Sequence, residues 1–123
     1  MFTFAARVAL CALIPFATLI PSASHAQSQH EMNAAAAKEF QAADRALNKE
    51  YNRLTGLLDA EARMKLKEAQ RAWIQFRDAE AAFAADQEAR GGSMAPLVYE
   101  SRRAELTKAR TKELQRTSKE RAS

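Results

Sequence analysis

From Met32 onward, apolar residues return at steps of three and four: Met32, Ala36, Phe40, Ala43, Leu47, Tyr51, Leu54 and Leu58. That spacing lines one face of a helix and is close to a heptad repeat. It predicts a first helix opening near Asn33, a residue type that caps helices well. Gly56 weakens its end, and LLDAEAR reads as a break and restart with Asp59 as the next cap. A second helix carries Leu66, Ala69, Trp73, Phe76, Glu80 and Phe83 on one side and stops at ARGGSMAP. Two glycines there permit the positive φ of a helix stop, and Pro96 blocks smooth continuation. A third helix is expected from about Pro96 to Arg116. Its stripe is poorer: Val98, Tyr99, Leu106, Ala109 and Leu114 share a side with Arg102, Arg110 and Glu113. The tail TSKERAS is expected to fray, so that residues 116–123 fall outside the packed part. No segment alternates with period two long enough to suggest a strand. The expectation is an all-α chain: an up-down-up antiparallel three-helix bundle, or a long helical hairpin that buries its seams by dimerising.

The first 26 residues have a different character. MFTFAAR bears one positive charge, VALCALIPFATLI is apolar, and PSASHA ends with small residues suited to signal-peptidase cleavage after Ala26. This is the pattern of a secretory signal. The apolar run is short of the roughly 20 residues a membrane span needs, so no span is expected after cleavage. The expected exported part is residues 27–123, one helical domain, placed in the periplasm or secreted. The lone cysteine, Cys11, lies in the leader, so the exported part holds no disulfide. Loss of Arg7 with the leader lowers the formal charge from +4 to +3. A mildly basic surface is compatible with an anionic envelope polymer; it is also what many solvated helices carry.

The stretch AQRAWIQFRDAE, residues 69–80, interleaves Trp, Ile and Phe with Arg, Gln, Asp and Glu. Stepping 100° per residue from Trp73 keeps Ala69, Gln70, Phe76, Arg77 and Glu80 on its side of the helix, while Arg71 and Asp78 point mostly away. Arg77 sits where it can cover the indole and reach Glu80. On the first helix Asp44 lies one turn before Asn48, and antiparallel packing brings Asp44 to Arg77 or Arg71. This cluster reads first as a polar network fixing helix register, with Trp73 as the largest core side chain. The second reading is partner recognition, since Trp and Arg dominate interface hot spots.

Catalysis finds little support. His30 is the one histidine after the leader, which leaves no nucleophile–histidine arrangement and no zinc set. GGS lacks the lysine and preceding strand of a phosphate loop. The expectation is a non-enzyme without cofactor or metal. Arg102, Arg103, Lys108, Arg110, Lys112 and Arg116 form a candidate basic stripe for an anionic polymer. Interleaved aromatics are lacking beyond Tyr99, so nucleic acid is not an expected partner.

HEMNAAAAKEF, AAD followed by LNKEY, AQRAWIQFRDAE, GGSMAPLVY and ELTKAR resemble, in that order, the LprI-like lysozyme-inhibitor family. The resemblance covers about Glu31 to Leu114. It implies an all-helical domain in the periplasm or on the cell surface and, for some members, inhibition of a lysozyme. Trp73, Arg77 and Asp78 carry over as signature positions without an assigned role. Asp44, Asn48, Gln70, Arg71, Glu80, Gly91, Gly92 and Ser93 complete the candidate signature or partner-binding set. Family members usually carry cysteines at positions matching Ala35, Ala81 and Arg102, so this chain depends on its seams instead. The functional expectation is an exported binding protein that blocks a muramidase. The alternative is a structural or adaptor module of the envelope, self-associating or coating an anionic polymer.

Overall fold

The computed structural model describes the backbone of residues 22–123 and the side chains from Ser24 onward. The charged start and apolar middle expected of the leader lie outside the described residues. Three helices fill the rest: α1 (Ser22–Gly56), α2 (Ala60–Ala89) and α3 (Ala95–Ala122). Each is dense in Ala, Leu, Glu, Lys, Arg and Gln, which lose little freedom on becoming helical. Asp59 caps α2, its carboxylate accepting the Ala62 amide at 2.8 Å. Gly91 turns the chain out of α2 at φ 66°, a backbone region costly for residues with a Cβ. Pro96 sits in the first turn of α3, where its missing N–H is harmless.

The helices run up, down and up. Residues 80 and 70 of α2 meet 102 and 110 of α3, an antiparallel register. Glu39 and Glu50 of α1 meet Lys108 and Ser118 of α3, a parallel one. The α1–α3 pair packs most extensively, α2 packs on α3, and the α1 and α2 backbones approach least. Small side chains explain the closeness of α1 and α3. Ala36 and Ala43 are buried on one helix; Ala104, Thr107, Thr111 and Ser118 are buried on the other. Interaxial distance falls with the size of the residues at the contact.

The bundle has two unlike halves. Leu47, Leu54, Leu58 and Leu114 form an apolar cluster flanked by Tyr51, Ala62, Leu66 and Trp73. It fills the half nearest the α1–α2 turn. Beyond it, toward the α2–α3 turn, charged and aromatic side chains take over.

Several expectations from spacing are revised. Helix α1 passes straight through Asn33, whose side chain accepts from Gln29 instead of capping. The inner face of α2 is rotated from the expected one: Gln70, Arg77 and Ala81 are buried, while Phe76 and Phe83 are exposed. Trp73 is only half-buried, so it is not the largest core side chain; Leu47 and Leu54 are the large residues that are fully enclosed. The seam of α3 is Ala104, Thr107, Thr111, Leu114 and Ser118, at alternating steps of three and four. Ala109, expected on that seam, is exposed. Residues 116–122 are helical, not frayed. Ser118 is fully buried, and its hydroxyl donates to Glu50 at 2.6 Å.

Candidate functional site: an arginine–aromatic lattice across three helices

The Trp–Arg–acid stretch of residues 69–80 sits at the junction of the three helices. Arg77 is 5% exposed. Its Nη1 donates to Asp44 Oδ1 of α1 at 3.3 Å and its Nε to Asp78 Oδ1 at 2.8 Å. Its guanidinium lies 5.0 Å from the Phe40 ring centroid and 5.3 Å from that of Trp73. Arg103 of α3 closes on the same phenyl ring at 3.7 Å and also lies 5.1 Å from Tyr99. It donates to Asp78 at 3.2 Å and to Glu100 at 3.2 Å. Asp78 therefore receives two arginines, one from its own helix and one from α3. Both guanidiniums also lie over the Phe40 ring, so a single ring and a single carboxylate together join all three helices.

The lattice continues on both sides. Arg110 donates to Gln70 at 3.2 Å and to Glu113 at 2.9 Å, with its guanidinium 5.9 Å from the Trp73 centroid. Arg102 donates to Glu80 at 3.2 Å and to Glu105 at 2.8 Å. Asn48 donates to Asp44 at 3.4 Å.

Of the candidate residues, Asp44, Asn48, Gln70, Trp73, Arg77 and Asp78 thus belong to one network, beside which Glu80 pairs with Arg102. Two contacts depart from the expected arrangement. Arg77 meets Asp44 as expected, but its other acid is Asp78 instead of Glu80, which pairs with Arg102. Asp78, expected to point away, is a central acceptor. Arg71 is exposed, as are Gly91, Gly92 and Ser93 at the α2–α3 turn. The parts missed from the sequence are the two guanidiniums over Phe40 and the acid partners of the α3 arginines. The signal was present: Arg102 and Arg110 fall on the inner side of α3, and an inward arginine needs an acceptor.

Electrostatics suit cohesion more than catalysis. Partial burial raises the pKa of the Asp78 carboxyl, but hydrogen bonds and charge from Arg77, then Arg103, outweigh it and hold it below its ordinary 3.8. An acid kept ionised this way is a poor proton donor near neutrality. The guanidinium of Arg102 is held above its ordinary value by the hydrogen bonds it donates to Glu105 and Glu80, against opposing burial. Four of the six basic residues in the candidate polymer stripe, Arg102, Arg103, Lys108 and Arg110, are engaged with acids. Among the described residues no three His, Cys, Asp or Glu side chains are grouped to hold a metal, and no helix is long and apolar enough to cross a membrane.

Comparison with known proteins gives this helical, signature-bearing chain a family. Residues 21–114 match the family described as lysozyme inhibitor LprI. The chain belongs to that family. It is also similar to the uncharacterized protein R02472 of Rhizobium meliloti (strain 1021), 39% identical over 107 residues, a match covering 76% of each chain. No solved structure gives a significant match. The LprI match takes in the whole lattice and the α2–α3 turn. Of the positions where the family resemblance places cysteines, Ala81 is fully buried and Arg102 is ion-paired with Glu80.

Proposed function

We propose that this protein is exported and acts without catalysis, binding a lysozyme and blocking its cleft. The observation that carries this reading is the LprI match over residues 21–114. The leader-like residues before Gln27 support export. The lattice supports a scaffold role for the signature, because its arginines and acids are engaged with one another across the helices. Recognition then falls to the exposed signature residues at the α2–α3 turn. Arg90, Ser93 and Met94 are exposed there.

The test is muramidase activity against lysozymes of several types, with and without the purified protein. Inhibition at micromolar excess is expected. It should weaken in a Ser93→Lys, Met94→Glu variant whose helix content is unchanged. Lack of inhibition of every type would refute the reading. Inhibition insensitive to the turn variant would refute the placement of the contact.

A further inference from the structure

Helix α2 carries a second row that the bundle does not use. Ala69, Ala72, Phe76, Ala79 and Phe83 recur at steps of three, four, three and four, and every one of them is exposed. Phe76 is 55% and Phe83 59% exposed. At 100° per residue these five positions share a strip on the flank of α2, roughly a third of a turn from Arg77 and Gln70 on the inner face. Charged side chains lie at both ends of the strip. Glu61 and Lys65 pair at 2.8 Å at its start; Asp86 and Arg90 pair at 2.6 Å at its finish.

We propose that this strip is the interface of an antiparallel homodimer, with α2 packed against α2 of a second copy about a two-fold axis near Phe76. Two features of the strip match its own inverse. In that arrangement Phe83 lies opposite Ala69 of the second copy, large against small, and Phe76 meets its own equivalent. Ala72 and Ala79 face each other and leave room for the rings, as knobs and holes require. The charges match as well. Lys65 lies opposite Asp86 of the second copy, and Glu61 opposite Arg90. A parallel pairing would set Lys65 on Lys65 and Arg90 on Arg90, so the charge pattern selects the antiparallel one. This is the self-complementarity a two-fold interface demands.

The strip is modest in size. Its four exposed rings, two per copy, contribute roughly 400 Å², against about 1,200 Å² for the smallest stable specific interfaces. The alanines and the flanking stems add to this. The dimer is therefore concentration-dependent, dissociating on dilution through the micromolar range.

Sedimentation of the protein as recovered from the producing cells, over about three decades of concentration, tests this directly. A monomer–dimer equilibrium is expected. Phe76→Glu with Phe83→Glu should raise the dissociation constant at least tenfold; both positions are exposed, so circular dichroism should be unchanged. Lys65→Glu alone and Asp86→Lys alone should each weaken the dimer several-fold, and the two together should restore it. Restoration separates this register from general stickiness. A protein that stays monomeric throughout overturns the proposal, as does a dimer indifferent to the phenylalanine changes. Charge reversals without rescue overturn the antiparallel pairing. If the phenylalanine variant instead abolishes lysozyme inhibition by a monomer, the strip belongs to the lysozyme and not to a second copy.

Discussion

Arg77→Ala is the sharpest perturbation of the lattice. Arg77 is 5% exposed, yet its two carboxylate partners, Asp44 and Asp78, have side chains 39% and 40% exposed. The full cost of stranding a buried charge, about 3–5 kcal/mol, therefore does not apply, because water can re-solvate both acids. The two charge-assisted hydrogen bonds, discounted for that exposure, contribute about 1 kcal/mol. Contacts with the Phe40 and Trp73 rings add about 0.5–1 kcal/mol each. The methylene stem packed in the junction adds about 1 kcal/mol more. The expected loss is about 3 kcal/mol, a fall in Tm of more than about 10 °C for a domain of this size. Urea unfolding followed by far-ultraviolet circular dichroism reads it, with Arg77→Met as control. Methionine keeps most of the stem and removes the buried charge, so its loss should be nearer 1 kcal/mol. A loss below about 1 kcal/mol for Arg77→Ala would refute the idea that this side chain ties the three helices. So would wild-type stability combined with lost lysozyme binding.

Other expectations follow from single contacts. Thr107→Val should stabilise by about 1 kcal/mol, because the Thr107 hydroxyl is fully buried without a hydrogen-bond partner and valine keeps its shape; a lower midpoint in urea would contradict this. Ser118→Ala should cost about 1–2 kcal/mol by removing the donor to buried Glu50, and a chain ending at Arg116 should lose at least as much in the same melt. Either change proving silent would return the tail to a frayed state. The depressed Asp78 carboxyl sets an acid limb: its stabilisation is fully present above about pH 4 and drains as pH falls through the lower folded value. Asp78→Asn should therefore flatten stability against pH below about pH 4, and an unchanged acid limb would show that Asp78 does not contribute to it.

The three helices, their turns and the first seam were legible in the residues. Ala36, Phe40, Ala43, Leu47, Leu54 and Leu58 are buried where a period of three and four places them, because each repeats an apolar side chain that must leave water. Asp59 and Gly91 mark their turns by local chemistry that needs no partner. Whether α2 turns Phe76 or Arg77 inward was not legible. Either face is amphipathic, and the choice depends on what α1 and α3 present. Asp44 and Phe40 of α1 offer a buried arginine one acceptor and one ring, and Arg103 of α3 shares the Phe40 ring and the Asp78 carboxylate with it, whereas Phe76 and Phe83 stay exposed. The α3 seam was hidden for a related reason. Thr107, Thr111 and Ser118 look like surface residues in a list of hydropathies, and only the close parallel approach of α1 makes small side chains the ones that fit. Local periodicity determined where helices form; the packing of three imperfect faces decided which polar residues go inside.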